Sequence, residues 1–256
     1  MSVRINAHYS RVSGWSEKIS RVNDSATPEE TLDPDELAAR ASTRTQRPAS
    51  KAFLDFVTSG WTPRLEAPPK QADVAPYAAK RRARLAELFP GERLVFPAGT
   101  LRIRSNDTTH RFRPHSAFAY LTGLGTDEEP NAVLVLHPDG EMHEAVLYFR
   151  PDAGRDTEEF FADSTYGEFW VGPRPTLNDL AVRLDLRTAH IDELRDDLGK
   201  GTGTDTDAVR LRIISGVDAA VDALVDEVLA ESGTDRDPAA DAQLLEAVAE
   251  LRLIKD

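Results

Sequence analysis

Residues 132–149 read AVLVLHPDGEMHEAVLYF. Ala132 to Leu136 and Ala145 to Phe149 are apolar runs too short for helices, and they flank Pro138-Asp139-Gly140, whose proline and glycine suit a tight reversal. The pattern predicts an antiparallel hairpin. Upstream, Arg93-Leu94-Val95-Phe96 and Phe118-Ala119-Tyr120-Leu121 read as further short strands, and a strand is expected downstream near Ala189 to Ile191.

Helical spacing surrounds these runs. From Tyr77 to Phe89, Leu85, Leu88 and Phe89 share one side while Lys80, Arg81, Arg82 and Arg84 lie largely on the other, and Pro90-Gly91 ends the pattern. A second helix follows Thr176, with Leu177, Leu180, Ala181 and Leu184 in register. A third runs from Ser215 to about Ala230, and a last one covers Ala239 to Leu251 after the break at Asp237-Pro238. The alternation of elements predicts an α/β domain. Residues 1–75 differ: they are rich in Ser, Thr, Pro and charge, with short helical patterns after Asp33-Pro34 and over Lys51 to Val57. They read as an extension, partly helical or mobile, with Ala67-Pro68-Pro69 near its boundary.

Composition narrows the function. The 256 residues carry 44 acids against 31 bases, a net charge of -13, which disfavours phosphate backbones and anionic lipid as partners. With no cysteine, thiolate metal sites and thiol nucleophiles are excluded. The apolar runs fall far short of the ~20 residues of a membrane span. The expectation is a cytoplasmic protein without nucleic acid or membrane partners.

Motifs for chemistry are sparse. No two histidines stand in H-x-x-x-H, and no G-x-S-x-G is present. Gly199-Lys200-Gly201 lacks the spacing of a phosphate loop. His137 and His143, facing each other across the hairpin, are the best local candidates for a metal, although two histidines beside a turn are more often exposed polar positions. Asp218, Asp222 and Asp226 recur every fourth residue and read as a solvated face. The richest polar stretch is residues 104–123, RSNDTTHRFRPHSAFAYLTG, which reads as a capped loop in which Arg113 pairs with a carboxylate as the chain enters a strand. A second cluster, Glu168-Phe169-Trp170-Val171-Gly172-Pro173-Arg174, suits either a binding rim or core packing.

Together these motifs carry a resemblance. The Arg-rich helix, Arg104-Ser105-Asn106-Asp107, Ser116-Ala117-Phe118-Ala119-Tyr120-Leu121-Thr122-Gly123, the aliphatic hairpin and Trp170-Val171-Gly172-Pro173-Arg174, followed by Glu250 to Lys255, resemble the N-terminal domain of Xaa-Pro aminopeptidase (aminopeptidase P), in the creatinase/prolidase group. The family pattern carries glutamine and then Asp or Asn before the serine, where this chain has Pro114-His115. The resemblance implies a mixed sheet flanked by helices over residues 76–232, with residues 233–256 a linker helix leading to a separate catalytic domain. It implies removal of the first residue from peptides with proline second, at two divalent ions, usually manganese, held by that other domain. No catalytic or metal residue is implied in this segment. Asp107 and Trp170 carry over as substrate-rim groups, with Arg113, Tyr120 and Arg174 in structural or interface roles. A homo-oligomer, dimer or tetramer, is implied as well. The alternatives are a free-standing, non-catalytic peptide- or protein-binding module, and the N-terminal domain of a prolidase or creatinase-like hydrolase.

Overall fold

The computed structural model describes residues 51–62, 69–105 and 108–254. The chain divides into two units, residues 1–60 and 61–256. In the first, α1 (Lys51–Val57) carries an i,i+4 pair between Lys51 and Asp55 at 2.7 Å. The helix expected after Asp33-Pro34 lies outside the described residues.

The second unit runs, in order, through α2 (Ala75–Ala86), β1 (Glu92–Pro97), β2 (Ile103–Ser105), β3 (Thr108–Thr109), α3 (Ser116–Thr122), β4 (Val133–Asp139) and β5 (Met142–Phe149). It continues with α4 (Glu159–Ala162), α5 (Glu168–Val171), α6 (Leu177–Leu184), β6 (Arg187–His190), α7 (Leu194–Gly199), β7 (Arg210–Ile213), α8 (Ala219–Glu231) and α9 (Pro238–Leu251). The hairpin forms as expected, with Leu134 opposite Leu147 and Asp139 opposite Met142. It sits inside a five-stranded sheet of order β6-β5-β4-β1-β7. β4 runs antiparallel to both neighbours, while β1 pairs with β7 and β5 with β6 in parallel. The sheet is therefore mixed, and the carboxyl ends of β1, β5, β6 and β7 share one edge.

Period-two alternation sorts the core into two layers. Leu94, Phe96, Leu134, Leu136, Leu147 and Phe149 face one side and pack with α2, α3, α6 and α9 through Leu85, Phe118, Leu180 and Leu244. Val95, Val133, Val135, Val146 and Tyr148 face the other and meet α7 and α8 through Leu198, Val225 and Val228. Burial on both faces explains why the strands read as unbroken apolar runs. Helix starts are local: Thr176 and Asp179 form a capping box, and Asp218 and Asp237 accept the first amides of α8 and α9.

One expectation is overturned. Phe118 to Leu121 is not a strand but lies within α3. The His115 side chain accepts from the Ala117 amide at 3.4 Å, and Gly123, left-handed at φ 83°, closes the helix with its amide on the Ala119 carbonyl. Ala117, Phe118 and Leu121 then fall on one buried face. A four-residue apolar run has no period of its own, so its caps decide. Arg113 accordingly precedes a helix rather than a strand.

Two other readings change. The aspartates of α8 do not form a free row: Asp218 is a buried cap, while Asp222 and Asp226 lie 2.8 and 3.4 Å from Arg236, which also approaches Asp241 at 3.4 Å. His137 and His143 do not face each other, because Glu144 stands opposite His137 and Pro138 opposite His143. His137 belongs instead to a polar chain crossing the valine layer. Arg93 donates from Nε to His137 Nδ1 at 3.0 Å, which leaves the ring proton on Nε2, 2.9 Å from the Tyr148 hydroxyl. Tyr148 donates to Asp197 at 2.6 Å, and Arg93 also donates to the carbonyls of Leu198 and Lys200, at the end of α7. Burial, then the Arg93 charge, push His137 down to about 4, and burial with the Asp197 bond pushes the Tyr148 phenol up.

Two outcomes follow. The folded protein excludes a proton that the unfolded chain accepts near the ordinary histidine value, so stability falls as pH drops from about 6.5 to about 4. His137→Asn, which keeps an acceptor for Arg93, should flatten that part of the urea-midpoint profile relative to the native chain. A Cβ on Gly123 would sit 2.6 Å from Val74 Cγ1 in a left-handed residue. Gly123→Ala should therefore cost about 1–3 kcal/mol in denaturant unfolding.

Candidate functional site

An open cleft of about 1250 Å³ lies at the sheet edge where the parallel strands end, the position at which open α/β sheets bind ligands. Leu101 after β1, the loop ahead of β4, and Arg155 and Arg174 after β5 line it. The loop, residues 125–131, is bent by three left-handed residues, Asp127 (φ 64°), Glu129 (φ 43°) and Asn131 (φ 63°). Its backbone is pinned by Asp127 N to Phe112 O (2.9 Å) and Asn131 N to Gly99 O (2.8 Å).

Three consecutive acids of this loop each meet a different arginine. Asp127 takes the exposed Arg111, with Nε at 2.8 Å, and that bond holds its carboxyl below the ordinary range. Glu128 accepts from Arg183 on α6 and from the Gly125 amide. Glu129 accepts from Arg174 at 3.0 Å; their side chains are 8% and 9% exposed. Burial pushes Glu129 upward, and the Arg174 charge opposes that rise.

The segment beyond β5 forms an arch over this pair. Arg174 donates to the Arg150 carbonyl at 2.6 Å, and the Asp152 amide donates to the Pro175 carbonyl at 3.0 Å. The Tyr166 ring lies 4.7 Å from the Arg150 guanidinium and 4.9 Å from that of Arg174. Tyr166 and Arg174 thus close the base, with Trp170 midway between them at the crown. Gly167 makes the turn possible: a Cβ there would stand 2.4 to 2.6 Å from the carbonyl oxygens of Glu159, Asp163 and Phe160. Arg155 holds Glu168 through two bonds of 2.9 and 2.7 Å. Trp170 is 59% exposed, with its indole donating to the Phe161 carbonyl at 2.6 Å; it meets Phe169 edge to face, and Phe169 in turn meets Phe160, which meets Trp61.

The residues singled out from sequence separate by role. Trp170 is presented outward and Arg174 is buried. Arg113 is exposed, and its charge adds to the hold on Asp127, whose ion-pair partner is Arg111. Tyr120 donates to the Leu251 carbonyl at 3.0 Å under the Arg81 guanidinium, tying α3 to α9. Asp107 lies outside the described residues. Glu129, Tyr166 and Arg150 escaped the sequence reading; the acidic run Asp127-Glu128-Glu129 between Gly125 and Pro130 was their only local signal. Among the described residues no group of three His, Asp or Glu side chains is placed to hold a metal ion.

The fold and cleft define the class: a mixed-sheet α/β domain with helices on both faces and a braced aromatic arch at its carboxyl edge. Residues 78–209 match the family model for the aminopeptidase P N-terminal domain, and the chain belongs to that family. It is 36% identical over 236 residues to Xaa-Pro aminopeptidase 1 of Streptomyces coelicolor, covering 90% of this chain and 43% of the relative. It is 39% identical over 205 residues to Xaa-Pro aminopeptidase 2 of the same organism, covering 78% of this chain and 39% of the relative. The solved structure of Escherichia coli aminopeptidase P with the inhibitor Pro-Leu superposes with a TM-score of 0.51 at 25% identity, over 64% of this chain and 36% of that one. The chain spans less than half the length of these relatives.

Arg174→Ala would leave the Glu129 carboxylate buried without its guanidinium. Loss of about 3–5 kcal/mol is expected in chemical denaturation, well beyond the loss on removing the exposed Arg111.

Proposed function

We propose that this chain is the amino-terminal domain of a metal-dependent Xaa-Pro aminopeptidase, shaping substrate access and assembly while the hydrolytic groups reside in a separate domain. The observation that carries the reading is Trp170, held outward on a rigid arch beside the cleft in a chain of this family. In this reading the indole covers the first side chain of the peptide. The Asp107 carboxylate attracts its terminal ammonium group. Two divalent ions, manganese, bound by the catalytic domain would supply the activated water and polarise the scissile carbonyl. A homo-oligomer, dimer or tetramer, and a cytoplasmic setting belong to the same proposal.

The test is release of the first residue from a Xaa-Pro peptide by the full-length polypeptide with manganese. Trp170→Ala and Asp107→Asn should each raise KM about tenfold, equivalent to about 1.4 kcal/mol, with a smaller change in kcat. Unchanged KM in both variants, or turnover by the 256-residue chain alone, would overturn the reading.

A further inference from the structure

We infer that Glu129, Arg174, Tyr166 and Arg150 form a clamp whose role is to position Trp170, making Glu129 a positioning residue for whatever the arch contacts. The proposal deepens the rim reading and rests on it for function, but its geometry stands independently. Tyr166 and Arg174 lie four residues either side of Trp170, and their side chains stack on each other at the base of the arch. One guanidinium fixes that base to two separate parts of the sheet edge: to the Arg150 carbonyl just after β5, and to Glu129 just before β4. Arg150 covers the Tyr166 ring and pairs with Glu159 on α4, while Asn131 donates to the Tyr166 hydroxyl.

Each contact of the clamp falls on the feet of the arch, and none on its crown. Phe169, Trp170 and Val171 are left 56%, 59% and 48% exposed. The indole's local contacts are the edge of Phe169 and the Phe161 carbonyl, both within the arch itself. Its hydrogen bond to the Phe161 carbonyl is satisfied only while the arch keeps its height above α4. Glu129 adopts a left-handed backbone to reach Arg174, and strain of that kind persists where surrounding contacts over-determine it.

The experiment uses the 256-residue chain with W15F and W61F, so that Trp170 is the sole indole. Its emission maximum and acrylamide quenching report the indole directly. Glu129→Gln and, separately, Tyr166→Leu should at least double the quenching constant and shift emission to the red, with the far-ultraviolet circular dichroism retained. Unchanged quenching in the folded variants would overturn the clamp. So would loss of native circular dichroism in both, because the network would then hold the fold rather than the arch. In the full-length polypeptide, Glu129→Gln should raise KM toward the Trp170→Ala value and add nothing when combined with it. Increased quenching with unchanged KM would keep the clamp and remove the rim reading instead.

Discussion

Burial of the sheet on both faces is the constraint from which the rest follows. β4 lies between β1 and β5 with valines on one side and leucines on the other, so helices must cover each side before the strands are stable in water. Each large aliphatic or aromatic side chain buried there contributes about 1.5–3 kcal/mol. The hairpin supplies two adjacent strands at small entropic cost, and β1, β6 and β7 are added through longer connections. Because β4 alone is antiparallel, the carboxyl ends of the other four strands gather on one edge. The loops leaving them converge there.

One buried polar network sits at that edge and the other at the opposite one. Arg93 is buried at the start of β1 and satisfies the end of α7, whereas Arg174 is buried beyond the end of β5 and satisfies the loop ahead of β4. Both are guanidiniums bridging backbone carbonyls and a side-chain acceptor between separate elements, a task suited to five donors in a planar fork. In the first case the acceptor is a neutral imidazole kept neutral by burial. In the second it is a carboxylate whose burial is offset by the guanidinium itself. The first network fastens a helix to the sheet, and the second fastens the arch to it.

Family membership gives the arch its meaning without deciding its geometry. The chain covers under half of its relatives' length. Trp170 was readable as a rim group only through the resemblance, since an indole between glycine and proline suits a core equally well. Its exposure, and the buried pair that explains it, belong to the folded molecule.

Local patterns in the chain determined the hairpin, the helices begun by Thr176 and Asp237, and the α/β class, because caps, turns and periodicity act over a few residues, whereas the helix expected from Ser215 begins only after the cap Asp218. The same reading failed at Phe118 to Leu121, where a short apolar run fits either period and the caps His115 and Gly123 had to be recognised first. It missed β7, the short helices and the partners of every buried charge. Glu129 and Arg174 are 45 positions apart, and Arg93 and Lys200 are 107 apart. Only tertiary structure pairs them, because a buried charge takes its partner from whatever the fold brings within about 3 Å, and sequence distance carries no record of that choice.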